Sequence, residues 1–379
     1  MRIAQVSPLY ERVPPQYYGG TERVVAFLTD ALVELGHDVT LFATADSRTA
    51  ATLVPCAPGA LRLIADPLAA HVHHLLQLER VLQQASQFDI VHWHVDAIHY
   101  PWSRRARVPS LTTLHGRLDL APLTSLYREY RELPVVSISD AQRGPLPEAN
   151  WAATVHHGLP RSPLAFGAGQ GGYLAFIGRI SPEKRVDRAI AVARALDIPL
   201  KIAAKVDPAD EAYFRSDIKP LLDQPGVEFI GEIGEADKAR LLGDAMALLF
   251  PIDWPEPFGL VMIEALACGT PIVAYPHGAV PEIIDHGVTG FIVNSIDAAI
   301  DAVRRVPGLS RVACRHAFEQ RFTAKRMASS YVDVYRAVID AHRGVARKGR
   351  HPTRAGRSTA RHEDPSVPLS VDGAIVGAP

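Results

Sequence analysis

The order of apolar segments predicts an α/β protein of two doubly wound, Rossmann-like domains facing a central cleft. Three observations carry this. Short apolar runs alternate with helical patterns from the first residues onward, the signature of βαβ units and a parallel sheet. The alternation restarts after Pro160–Gly172, a Pro- and Gly-rich stretch with linker chemistry. The third is length: 379 residues exceed one ordinary core, and about 150 residues per domain gives two.

The first domain, residues 1–160, opens with a strand at Ile3–Val6 and a helix over Glu22–Leu35. That helix is apolar at Val24, Val25, Phe27, Leu28, Ala31, Leu32 and Leu35 and stops at Gly36. Strands are expected at Val39–Ala43, Ile90–Trp93, Ser110–Leu114, Val135–Ile138 and Thr154–Val155. The second domain, residues 161–322, begins with the strand Tyr173–Ile177. Ser181 and Pro182 have the chemistry of N-cap and first position of the next helix, Val186–Leu196. Strands Leu200–Ala204 and Val227–Ile230, helix Ala236–Leu242, strand Ala247–Phe250, a further helix, and strands Pro271–Ala274 and Phe291–Val293 complete it. A helix over 323–343 closes the ordered part and can pack on either domain. Residues 344–379 form a basic tail, and Ala341–His362 carries seven Lys or Arg and no acid. Its composition predicts disorder; it is a solubilising tail and a candidate for peripheral membrane contact.

Composition narrows the function classes. A net charge of -1 gives no global pull toward nucleic acid. Apolar content of 47% suffices for two cores, and no apolar run approaches the roughly 18 residues of a membrane span. A strand at the N-terminus leaves no room for a signal peptide, so a cytoplasmic location is expected. Cys56, Cys268 and Cys314 lie far apart, without the spacing of a disulfide framework or a zinc site.

The chemistry concentrates in Trp254-Pro-Glu-Pro-Phe-Gly-Leu-Val-Met-Ile-Glu264. Pro255, Pro257 and Gly259 hold Glu256 in a loop, while the apolar run from Leu260 places Glu264 a turn inside a helix that ends at Gly269. Free backbone N–H groups near Gly259, Leu260 and Val261 then form an anion site at the helix start. Four further segments should converge on it at the C-terminal ends of the strands. Gly19 and Gly20 open the first helix and let backbone approach a ligand closely. Arg179 and Lys184, after the first strand of the second domain, can grip a diphosphate, one as a fork and one as a point charge. Leu111–Gly116 delivers His115. His92 and His94 share a strand face, with Asp96 following. Arg23, His94 and Asp96 are candidates for the acceptor side. Arg23 with Arg12, Arg104 and Arg117 would suit an anionic acceptor, or all four are solvated surface cations. No Asp-x-Asp segment suited to Mg²⁺ on a diphosphate is present, so no metal or cofactor is expected.

The chain resembles the family 4 retaining glycosyltransferases of GT-B fold. The resemblance rests on Tyr18-Gly-Gly-Thr21, His115-Gly116, Gly178-Arg-Ile-Ser-Pro-Glu-Lys184 and Glu256-x7-Glu264 followed by Ala-Leu-Ala-Cys-Gly-Thr-Pro-Ile-Val-Ala274, and covers roughly residues 1–340. Val155-His-His-Gly158 and Gly278-Ala-Val-Pro-Glu282 also fit. It implies a nucleotide-diphosphate sugar donor held mainly by the second domain, a hydroxyl acceptor (sugar, lipid-linked or small molecule), and retention at the anomeric carbon. Arg179 and Lys184 would hold the diphosphate, Glu264 the ribose, and Glu256 with Phe258, Gly259 and Leu260 the donor sugar. Ile233 would lie against the base, His115 beside the reacting sugar, and Gly20 near the phosphates. Rival readings keep the fold but make the protein a sugar-nucleotide epimerase, a phosphorylase or a non-catalytic binder.

Overall fold

The computed structural model describes residues 1–16, 19–63, 67–162 and 164–348. The expected basic tail lies almost wholly outside the described residues, as do Tyr17 and Tyr18. Two wholly parallel sheets form the frame. The first has seven strands: β1 Arg2–Val6, β2 Asp38–Thr44, β3 Thr52–Ala57, β4 Ile90–Trp93, β5 Ser110–Thr113, β6 Val135–Ser137 and β7 Trp151–Thr154. They run in the order β3-β2-β1-β4-β5-β6-β7, with Ile3 opposite both Val39 and Ile90. The second has six: β8 Leu174–Arg179, β9 Leu200–Lys205, β10 Val227–Gly231, β11 Ala247–Phe250, β12 Ile272–Ala274 and β13 Gly290–Ile292, ordered β10-β9-β8-β11-β12-β13. Helices cover both faces, which is why central strands such as β4 and β11 are buried along their whole length.

The principal helices are α1 Gly20–Glu34, α2 Pro67–Gln84, α3 Ala121–Glu129, α4 Val186–Leu196, α5 Glu235–Asp244, α6 Leu260–Ala267, α7 Ile296–Arg305, α8 Arg311–Arg321 and α9 Ala324–Lys348. α1 buries Val24, Val25, Leu28 and Leu32, the stripe its spacing predicts. α6 starts at Leu260 behind Gly259, whose φ of 82° turns the chain into the helix. The cap expected at Ser181 does not form. Pro182–Lys184 is a separate 3-10 turn, Arg185 then adopts φ 54°, and α4 begins only at Val186. Arg185 is held in this left-handed conformation by Asp187 at 2.8 Å and Asp253 at 2.9 Å.

The chain crosses between domains twice, side by side. Leu159 N–H donates to Phe322 O at 2.9 Å and Ala324 N–H to Leu159 O at 2.8 Å. After this crossing α9 packs on the first domain: Met327, Tyr331 and Tyr335 join Ile3, Leu28 and Leu32 in one cluster. No helix among the described residues is long and apolar enough to cross a membrane.

Candidate active site

A cleft of about 440 Å³ lies between the sheets, and its lining comes from the C-terminal ends of strands in both. β5 delivers His115, β8 Arg179, β9 Lys205, the turn after β10 Ile233, and β11 the loop carrying Glu256 and Phe258. α1 and α6 begin opposite one another: a Cβ on Gly20 would stand 3.8 Å from the Leu260 side chain. Two helix N-termini, each the positive end of a dipole, therefore border one space.

The two glutamates are each met by a lysine. Glu256 Oε2 accepts from Lys184 Nζ and, at 3.0 Å, from Trp254 Nε1. Lys184 also lies 4.7 Å from the Trp254 ring centroid, a cation–π contact. Glu264, 3% exposed, accepts from Lys238 Nζ at 2.5 Å. Lys238 also pairs with Glu235 at 2.9 Å, and Glu235 with Arg23 of the first domain at 2.9 Å. This run of charges bridges the cleft from α1 through α5 to α6. Arg179 is steered by Glu183 at 3.1 Å and Asp207 at 3.4 Å, both of which leave its guanidinium at the cleft wall.

The histidines form a buried set. His94 Nε2 donates to Gln5 Oε1 at 2.8 Å, so its Nδ1 accepts from His115 Nε2–H at 2.8 Å. That leaves His115 Nδ1 buried and without a protein partner. His157 stacks on His115, with ring centroids 5.3 Å apart. Burial lowers the pKa of His115 to about 3 and holds His92, His94 and His157 well below the usual imidazole range, so all four are neutral at pH 7. His92 sits behind the cleft, meeting Thr113 Oγ1 and Tyr335 OH, each at 2.7 Å.

The structure brings Gly19, Gly20, Arg179, Lys184, Ile233, Glu256, Phe258, Gly259, Leu260, Glu264 and His115 into the one cleft. His94 and Asp96 instead line a neighbouring cavity on the first-domain side. Arg23, expected there too, lines the cleft and pairs across it with Glu235. Arg104 is drawn off to Glu129 and Glu132 on the surface, and Arg117 pairs with Asp119 at 2.7 Å. Sequence reasoning missed Lys238 and Glu235, which read as an ordinary polar helix start, and Trp254, which read only as the start of a loop. His157 stood in a noted motif but was given no role.

Comparisons with known proteins bear on the family and the fold. A family model described as Glycosyltransferase Family 4 matches residues 18–197, and one described as Glycosyl transferases group 1 matches residues 168–309. A D-inositol 3-phosphate glycosyltransferase of Mycobacterium marinum is 33% identical over 201 residues, 48% of this chain and 42% of the relative. One of Mycolicibacterium smegmatis is 27% identical over 421 residues, 90% of this chain and 91% of the relative. The M. marinum match thus spans less than half of that curated relative. AviGT4, a glycosyltransferase involved in avilamycin A biosynthesis, superposes with a TM-score of 0.70 at 26% identity, covering 89% of this chain and 98% of that one. Anabaena HepE in complex with UDP-glucose shares the fold, with a TM-score of 0.66 at 17% identity over 89% of this chain and all of the other. Two family models that overlap over residues 168–197 and together match residues 18–309, on two parallel sheets that face one cleft, show that the chain belongs to the family 4 glycosyltransferases of GT-B fold.

Proposed function

We propose that the protein transfers a sugar from a nucleotide-diphosphate donor to a hydroxyl acceptor, with retention of configuration and without a metal. The observation that carries this reading is the pair of lysine-bound glutamates at the two ends of the α6 entry, with Arg179 beside them. The spacing suits one donor molecule. Glu256 accepts from donor-sugar hydroxyls, Glu264 from the ribose, and the helix start between them meets the diphosphate. Sugar hydroxyls arriving at Glu256 would loosen its hold on Lys184 and turn that ammonium toward phosphate. UDP and UDP-glucose complexes of HepE support the donor class, and the names of the curated relatives support a hydroxyl-rich acceptor.

In the reaction the bond from the anomeric carbon to the β-phosphate oxygen breaks, and the acceptor oxygen bonds to the same face of that carbon. The acceptor proton passes to the departing phosphate oxygen. Negative charge grows on the diphosphate, and Arg179, Lys184 and the N-terminus of α6 are aimed at it before the reaction starts. His115, neutral at working pH, acts as a hydrogen-bonding wall rather than as an acid. The reading also carries a cytoplasmic location, checked by fractionation of cells.

Lys184→Ala and Glu256→Ala should each lower transfer by about 100-fold or more while circular dichroism stays unchanged. Near-normal transfer by both would overturn the assignment. The donor is first identified by thermal shift over a panel of sugar nucleotides. Epimer formation from that donor without acceptor would favour the epimerase, and unaltered turnover in EDTA is expected.

A further inference from the structure

A second cavity of about 650 Å³ opens off the cleft, sharing Gly19, Gly20, Thr21, His115, Gly116 and Lys205 with it. It borders His115 from the first-domain side, so on the transferase reading it holds the acceptor. Its charges discriminate between acceptor classes. Arg62 is ion-paired with Glu11, and Lys205 with Asp207 at 2.5 Å. The imidazoles add little positive charge. His74 Nδ1 donates to Ala70 O at 2.8 Å and its Nε2 faces the Leu9 N–H at 3.4 Å. His94 is bonded at both nitrogens, and burial lowers the pKa of His74, His94 and His115. Only His71, on the exposed rim, is an imidazole outside this buried set.

Against these stand two carboxyls with no lysine or arginine partner among the described ion pairs. Glu22, 5% exposed, lies in the first turn of α1, and Asp96 lies beyond β4 with φ 50°. Burial, with Glu11 nearby, raises the Glu22 pKa to about 7. The remaining anion-attracting feature, the start of α1, also borders the donor cleft, and the Glu22 carboxyl occupies its first turn. A phosphate placed here would face Glu22 and Asp96 with Arg62 and Lys205 both engaged, an unfavourable arrangement in a half-enclosed space. Hydroxyls suit it better. A carboxylate accepts from two hydroxyls, and a protonated carboxyl both donates and accepts.

We propose that this cavity selects an uncharged, polyhydroxylated acceptor over its phosphorylated counterpart, with Glu22 and Asp96 binding the acceptor hydroxyls. In this the chain departs from the inositol phosphate acceptor named for its curated relatives. The inference rests on the transferase reading above.

The test compares matched acceptors on the full chain with its identified donor: myo-inositol against D-inositol 3-phosphate, and glucose against glucose 6-phosphate. The uncharged member of each pair should have a kcat/KM at least about tenfold higher. Equal or higher values for the phosphorylated members would overturn the proposal. Glu22→Gln and Asp96→Asn should raise the acceptor KM more than they lower kcat, and Asp96→Lys should move the preference toward the phosphorylated members by about tenfold. Unchanged acceptor KM and unchanged preference in the Asp96 variants would also overturn it. Thermal shift with the same four compounds plus nucleoside diphosphate reads the preference without turnover. Loss of donor turnover with every acceptor tells against the transferase reading. Stabilisation by the phosphorylated members tells against the charge preference of this cavity.

Discussion

Lys238 and Lys184 both meet a glutamate, yet burial gives the two pairs different consequences. The Lys238 and Glu264 side chains are 7% and 4% exposed, so removing either leaves a charge stranded away from water. Glu264→Ala should therefore destabilise the fold by about 3 kcal/mol as well as weaken donor binding. Equilibrium urea unfolding with an unshifted midpoint would refute this. The Lys184 and Glu256 side chains, 13% and 12% exposed, line the cleft itself, so their loss should fall mainly on turnover. Glu22 makes a separate pH statement. Its folded pKa of about 7 lies above the ordinary carboxyl value of 4.5, so its stabilising contribution is fully present below 4.5. That contribution is lost as pH rises toward 7, by about 3 kcal/mol in total. Glu22→Gln should flatten this part of the stability profile, and an identical profile in the variant would show that the carboxyl is not desolvated.

At the scale of elements, the loop carrying Glu256 is fixed by a second loop lying against it. Gly278 has φ 59°, and a Cβ there would stand 2.1 Å from Glu256 O and 2.3 Å from Glu256 N. Ala279 N–H donates to Glu256 O at 2.9 Å, so the two loops are joined through the backbone. Gly278→Ala should displace the glutamate and raise the donor KM by about tenfold or more while the helix content of the second domain stays the same. A wild-type KM would refute the close approach. The same elements mark what could be read from sequence. The glycines at 259 and 278, the strand ends at His115 and Arg179, and the stripe of α1 follow from local rules of spacing and backbone freedom. Partners set by tertiary packing do not. Lys238 reaches Glu264 only because α5 lies against α6, and nothing in its own turn announces that. β3 is absent from the sequence reading; its Pro55 stands on the edge strand of the sheet, where a missing N–H is tolerated. Ser181 and Pro182 satisfied the rule for a helix start, and the Arg185 fork overrode it.

For the whole molecule, α9 ties the second domain's exit back to the sheet that holds His115. Tyr335 OH accepts from Gln5 Nε2 at 2.9 Å and meets His92 Nδ1 at 2.7 Å, while Tyr331 OH meets Thr113 Oγ1 at 2.8 Å. The polar interior of the first domain is thus built around neutral imidazoles that cannot charge without breaking it. Burial lowers the pKa of His92, His94, His99 and His157 well below 6.5, and that of His115 to about 3. The sign follows from proton binding. Below pH 6.5 the unfolded chain takes up protons at these rings and the folded chain does not, so the stability present above 6.5 is lost as pH falls. Each ring contributes a slope of about 1.4 kcal/mol per pH unit. Glu22 opposes this between 4.5 and 7, joined by Glu11 and Asp96, whose pKa values burial also raises, while His74 adds to the imidazole side. The urea midpoint should accordingly fall steeply from pH 7.5 to 5.5, well before most carboxylates titrate. His99 isolates the cause, because it lines neither cavity and packs on Trp93 with ring centroids 4.3 Å apart. Its nitrogens meet Ser103 Oγ at 2.7 Å and Thr112 Oγ1 at 3.0 Å. His99→Gln should lower stability at pH 7.5 and reduce the acid slope by about 1.4 kcal/mol per pH unit. A slope equal to that of the wild type would mean that this imidazole is charged in the folded protein, and the account of the first domain as a neutral histidine interior would fail.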